Sequence, residues 1–147
     1  MQLQAQLYLE QIERYDKFIQ AKLAEIYQLR CLATSVTAAT GSERVQTSGT
    51  SDKVGNITAT IVDKENEVQK MIEHFFNEKS ERIKLIEQLE NTLEYTVLHE
   101  RYIQYMSLKD IAAKEGYSYQ YICEIHGRAI KKIQSFLKNL YKPIESY

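Results

Sequence analysis

An all-α protein, a long antiparallel helical hairpin resembling a coiled coil followed by a C-terminal helix-turn-helix domain, is the fold this sequence predicts, and three observations predict it. Helix breakers are scarce: Pro143 is the single proline in 147 residues, and three of the five glycines fall between Gly41 and Gly55. Apolar residues recur at steps of three and four along two long stretches. A third stretch, from Ser107 to Ile133, reads as two short amphipathic helices joined at Gly116.

The first helix is expected from about residue 3 to 33. Its stripe is Tyr8, Ile12, Tyr15, Ile19, Leu23, Ile26 and Leu29, widened by Leu7, Leu9 and Phe18. Residues 34–53 are rich in Ser, Thr and Gly and nearly devoid of large apolar side chains, which predicts a loop. A second helix follows over about 54–93, with Ile57, Ile61, Val68, Ile72, Phe75, Ile83, Ile86 and Leu89 on one face. Two helices alone bury one side of each, so residues 1–93 are expected to oligomerise, as a homodimer built on four helices. Residues 94–147 form the second expected domain. Leu93, Val97, Arg101 and Tyr102 open it on a helix that supports the turn motif.

Within that domain Ser107, followed three residues later by Asp110, makes a capping signal, and Leu108, Ile111 and Ala112 form the buried stripe of a short helix. Gly116 can take the left-handed conformation that ends it. Ser118 is placed to cap a last helix over 118–142, whose apolar positions Ile122, Ile125, Ala129, Ile133, Leu137 and Leu140 commit one face to a core. The opposite face carries Gln120, Glu124, Gly127 and Lys131, flanked by Tyr119, Cys123 and Arg128. A helix laid in a major groove presents such a face. Ser118, Tyr119, Gln120 and Tyr121 stand at its start, where backbone amides favour a phosphate. Gln120 suits adenine and Glu124 suits cytosine, while Arg128, Lys131 and Lys132 suit the DNA backbone. Tyr102, Tyr105 and Tyr117 are expected to fill the core with their hydroxyls at its rim.

The charge pattern permits such contacts without compelling them. Net charge is −1, but residues 1–93 carry 11 basic against 14 acidic side chains and residues 94–147 carry 8 against 6. Between Ser118 and Pro143 the basic residues Arg128, Lys131, Lys132, Lys138 and Lys142 meet only Glu124. A few phosphate contacts are available, and strong nonspecific affinity is not expected. The lysines equally suit the negative end of a helix dipole.

The segment from Ser107 to Ile133 also resembles region four of bacterial primary sigma factors, onto whose helix-turn-helix it lays without a gap. The match in kind runs through Ser107, Leu108, Asp110, Ile111, Ala112, Ser118, Ile122, Ile125, Ala129, Lys131, Lys132 and Ile133. Where that family places arginines in the first turns of its recognition helix, this chain has Tyr119, Tyr121 and Cys123, so recognition of a sigma-type promoter element is not implied. With two long helices ahead of this module and the phrase SERVQTS between them, nearly the whole chain resembles small proteins of phages and prophages of Gram-positive bacteria. Those are grouped with late transcription regulators of the ArpU and RinA type.

The helix-turn-helix, the apolar stripes and the resemblance together give the expectation of a dimeric, sequence-specific regulator of transcription acting on double-stranded DNA, with contact to RNA polymerase left open. A small-terminase-like packaging adaptor and a sigma-like interaction module that docks on protein rather than DNA are the alternatives. Cys31 and Cys123 lie outside any disulfide or zinc spacing, and His74, His99 and His126 have no partner at ligand spacing, so no metal or cofactor is expected. No apolar run approaches the roughly 20 residues of a membrane span, no signal peptide is read, and no nucleophile or phosphate loop stands out. The expectation is a bacterial cytoplasmic protein that is not an enzyme.

Overall fold

The structure is a computed structural model that describes residues 2–42 and 50–141, and every regular element among them is a helix. The helices are α1 (Gln2–Ser42), α2 (Thr50–Glu87), α3 (Thr92–Tyr102), α4 (Leu108–Glu115) and α5 (Tyr119–Leu140). None is long and apolar enough to cross a membrane.

The loop expected over 34–53 is corrected at both ends, because α1 continues to Ser42 and α2 already begins at Thr50. The sequence between Ala33 and Gly41 holds neither proline nor glycine, and alanine is the best helix former. Thr34 fits the helix by bonding back to the preceding turn, its Oγ1 donating to the Arg30 carbonyl at 3.0 Å. Serine and threonine content had pointed to a loop that local hydrogen bonding overrides. Residues 43–49, which carry most of the SERVQTS phrase, lie outside the described residues.

The contacts also group the chain into two compact units. One compact unit joins Met1–Asp16 to Asn77–Tyr147, and the other is Lys17–Phe76. The reason lies in what the C-terminal helices need to cover. Ala5, Leu9 and Ile12 of α1 and Leu85, Ile86 and Leu89 from the end of α2 pack with Leu98 and Tyr102 of α3 and with Ala129, Ile130, Ile133 and Leu137 of α5. Burying such side chains is worth about 1.5–3 kcal/mol each, and α3 and α5 alone offer too few partners to do it. A second core, Val97, Ile111, Ala112, Ile122 and Ile125, ties α3 and α4 to the first turns of α5.

Polar contacts fix this unit further. Arg82 is 6% exposed, lies over the rings of Tyr8 and Tyr15 at 4.2 and 4.8 Å, and donates to Gln11 Oε1 and Glu78 Oε2. Buried Gln134 on α5 accepts from the Ala5 amide at 3.1 Å, supplying a side-chain partner to the opening turn of α1. Lys79 pairs with Asp16 at 2.5 Å, and the Tyr105 hydroxyl donates to the same carboxylate. Burial works to raise the Asp16 carboxyl, but those two donors hold it below its ordinary value.

Of the three tyrosines expected in the core, only Tyr102 is buried. Tyr105 sits in the α3–α4 connection at φ 60°, a left-handed position rare for a side-chain-bearing residue, and turns its ring outward to Asp16. Tyr117 follows the Gly116 turn and rests on Tyr121, ring centroids 5.2 Å apart, with nearly half its surface exposed. Leu140, read as the last core position of α5, is likewise exposed.

In the second unit the α1 and α2 segments run antiparallel. Phe18 meets Phe75 with centroids 5.1 Å apart, and Arg30 pairs with Glu65 at 2.9 Å, so partners descend along α2 as they ascend along α1. Ile26, Ile61 and Val68 are its buried apolar residues among the described side chains. Leu23 and Ile57, assigned to the apolar stripes, are about half exposed.

Candidate nucleic-acid interface

Local chemistry places α4 and α5 with little freedom. Ser107 Oγ accepts from the Asp110 amide at 3.1 Å, which opens α4. At its other end Gly116 adopts φ 75°, ψ 31°, and the amides of Gly116 and Tyr117 both donate to the Ala112 carbonyl at 3.0 Å. Only a residue without a Cβ takes that conformation cheaply. Two residues on, Ser118 Oγ accepts from the Tyr121 amide at 3.1 Å and starts α5.

The outer face of α5 then follows from which residues the cores consume. Ile122, Ile125, Ala129, Ile130, Ile133, Gln134 and Leu137 are buried. Gln120, Glu124, Arg128 and Lys131 are exposed on the far side, with half-exposed Gly127 among them. Tyr119 is exposed and Cys123 half-buried on one flank, and the Cys123 side chain one turn on holds the Tyr119 phenol above its ordinary range. Seven of the expected contact residues thus share one face or its edge.

The other three stand differently. The Ser118 hydroxyl is exposed but committed to its cap. Tyr121 is half-buried, packs on the second core and meets the Tyr117 ring at a tilt of 42°. Lys132 is bound to Glu94 at 2.6 Å.

That pairing exposes a feature the sequence did not disclose. Glu94 and Glu100 on α3 are each 4% exposed, and each holds a half-exposed lysine, Lys132 from α5 and Lys114 from α4 at 2.7 Å. A buried carboxylate demands a partner, so these two lysines are structural. Among the described residues Glu100 Oε2 has no hydrogen-bond partner, although it is buried. The Glu115 carboxyl beside Glu100 is pushed up, first by that contact, because two ionised carboxylates offer no proton to share.

Two cations that sequence reasoning left out of the site belong near it. Lys138 is exposed two turns beyond Lys131 on the same side of α5. Lys109, in the first turn of α4, places its ammonium 5.9 Å from the centre of the Tyr119 ring. Their exposed helical positions were the available signals, at i+7 from Lys131 and beside the Ser107 cap.

Behind the face, the Tyr102 hydroxyl lies 2.7 Å from His126 Nε2 and the two rings stack. Burial pushes the phenol up, so it keeps its proton, and the His126 tautomer decides which of the two donates. Burial, then the nearby Arg101 charge, lowers His126 from 6.5 to about 4. A histidine depressed on folding binds protons more readily in the unfolded chain. The stability it supports is therefore complete above pH 6.5 and is lost as pH falls towards 4. After allowance for the half-buried ring, the loss is expected to be about 2 kcal/mol. Urea unfolding of the wild type and of His126→Gln, which keeps an acceptor for Tyr102 but cannot titrate, measures it: the wild type should lose more stability between pH 7 and pH 4.5, and parallel profiles would assign the acid limb elsewhere.

Among the described residues, no group of three or more His, Cys, Asp or Glu side chains is placed to hold a metal ion. No family model, curated protein or solved structure matches the chain.

Proposed function

We propose that this chain is a sequence-specific DNA-binding regulator of transcription, not an enzyme, that acts as a dimer in the bacterial cytoplasm and lays α5 in the major groove. Its fold is read as a long helical hairpin carrying a helix-turn-helix like that of sigma region four. Phage or prophage genes are the targets that the sequence resemblance implies.

One observation carries the reading. Gln120, Glu124, Arg128 and Lys131 line an exposed face of α5 and form no ion pair among the described residues, while Lys114 and Lys132 in the same unit are spent on buried carboxylates. Bidentate and charged side chains held apart from one another on a capped helix suit base edges and phosphates. Arg128 and Lys131 serve as phosphate contacts, with Lys109 and Lys138 at the margins. Gln120 and Glu124 serve as readers.

Gly127 supplies the test. A Cβ built there meets nothing within 4 Å, so the protein's own packing gives no reason for glycine in the middle of α5. Alanine should raise stability by up to about 1 kcal/mol, since glycine costs that much in a helix interior. If the bare backbone admits a base edge or sugar, the same substitution weakens DNA binding about tenfold, by roughly 1.4 kcal/mol. Thermal unfolding and fluorescence anisotropy on a labelled duplex read the two effects. A stabilised Gly127→Ala variant that binds DNA as tightly as the wild type would remove close approach at this face from the account.

A further inference from the structure

We infer that the apolar groove along one side of the Lys17–Phe76 unit seats a second copy of this chain. The groove encloses about 400 Å³ and is floored by Leu29, Leu32, Ile57 and Ile61, with Leu32 and Ile57 51% and 46% exposed. It continues past Leu29, Leu32 and Lys64 to Glu25, so one apolar trough carries an acidic and a basic rim residue.

The unit cannot account for itself as a lone helix pair. Its two segments each rise about 39 Å at 1.5 Å per residue, yet the described side chains bury only Ile26, Ile61 and Val68 among the apolar residues. The Phe18–Phe75 contact and the exposed Arg30–Glu65 pair add little to hold helices of that length. A face of two such helices, about 39 by 20 Å, measures roughly 800 Å², which is what each partner contributes to a standard interface.

Charge selects the occupant. Glu25 and Lys64 border the same trough with opposite signs, each held along its own helix only by a surface pair, to Lys22 at 3.0 Å and to Glu67 at 3.5 Å, so a twofold axis placed between them brings Lys64 of each chain to Glu25 of the other. A partner carrying one sign of charge would leave one rim residue opposed. Four helices then bury what two leave open, with Leu32 and Ile57 at the seam. This gives the dimer in the proposed function a surface, and its test contains no DNA, so either idea can fail alone.

Sedimentation equilibrium of the full chain between about 1 and 100 µM decides it. The wild type is expected at twice the 17.2 kDa chain mass. Leu32→Glu and Ile57→Glu should each weaken association at least about tenfold, and together leave a monomer that keeps its far-ultraviolet helical signal. Should the double variant lose that signal, the rim gives an independent reading: Glu25→Lys and Lys64→Glu singly weaken the dimer and together restore it. A wild-type monomer at 100 µM, a ring of many subunits, or a dimer indifferent to both sets of substitutions would overturn the inference.

Discussion

Arg82→Ala is expected to cost about 3 kcal/mol of folding stability, the largest loss from any single charged side chain in this protein. The guanidinium is 6% exposed and lies over the Tyr8 ring at 4.2 Å and the Tyr15 ring at 4.8 Å. It donates to Gln11 Oε1 at 2.6 Å, to Glu78 Oε2 at 3.0 Å and to the Glu78 carbonyl at 2.8 Å. Alanine removes charge-assisted bonds and ring contacts worth roughly 1–2 kcal/mol each in gross terms and opens a void between the rings. Lysine keeps the charge but not the planar fork, and should still lose about 2 kcal/mol. Urea unfolding followed by circular dichroism checks both, with the midpoint falling and the slope unchanged. A loss under 1 kcal/mol for alanine would mean that Arg82 fills space without organising the α1–α2 contact.

The second large effect concerns α5. Replacing Arg128 and Lys131 together by alanine is expected to weaken duplex binding about 100-fold near 0.1 M salt and to reduce the slope of log affinity against log salt by about 2. Both side chains are exposed on one face and hold no hydrogen-bond or ion-pair partner among the described residues, so folding stability should hardly change. Gln120→Ala should behave differently: it relaxes discrimination at one base pair by about 1–3 kcal/mol and leaves the salt slope intact. Anisotropy titrations across salt separate the two. If all three substitutions lowered affinity by the same factor on every sequence, the division between phosphate contacts and base readers would be wrong. The modest basic excess of the C-terminal half makes the slope informative, because two lost contacts are a large share of the few available.

What could be read from the chain was local. Ser107, Gly116 and Ser118 act through their own backbone neighbourhoods, so their capping and turning roles stand in the sequence as they stand in the structure. The period of α5 likewise separates its buried residues from Gln120, Glu124 and Arg128. Longer-range choices were hidden. Nothing in the spacing of Ala5, Leu9 and Ile12 says that they complete a core with Ile133 and Leu137, or that Gln134 meets the Ala5 amide. Glu94 and Glu100 look like solvated acids until Lys132 and Lys114 are found beside them, and with that one expected DNA contact, Lys132, becomes a structural ion pair. The stretch around Thr34 misled for another reason. Its composition favours turns, but without glycine or proline before Gly41 the helix continues at little cost.

The two units divide the work in this account. Arg82, Gln134 and the buried acids hold α5 in place, while the trough of Leu32 and Ile57 is proposed to seat a second copy and so bring a second α5. Linking two weakly basic modules raises their effective concentration on DNA, which offsets the few phosphate contacts each can make. A dimer of this kind reads two related half-sites.

Selection of bound sequences from a random duplex library, repeated at several salt concentrations, tests that claim most directly. The account predicts an enriched motif of two related half-sites that survives rising salt and is lost in the Arg128→Ala, Lys131→Ala double variant. No enrichment even at low salt would contradict it and leave the outer face of α5 without DNA as its partner.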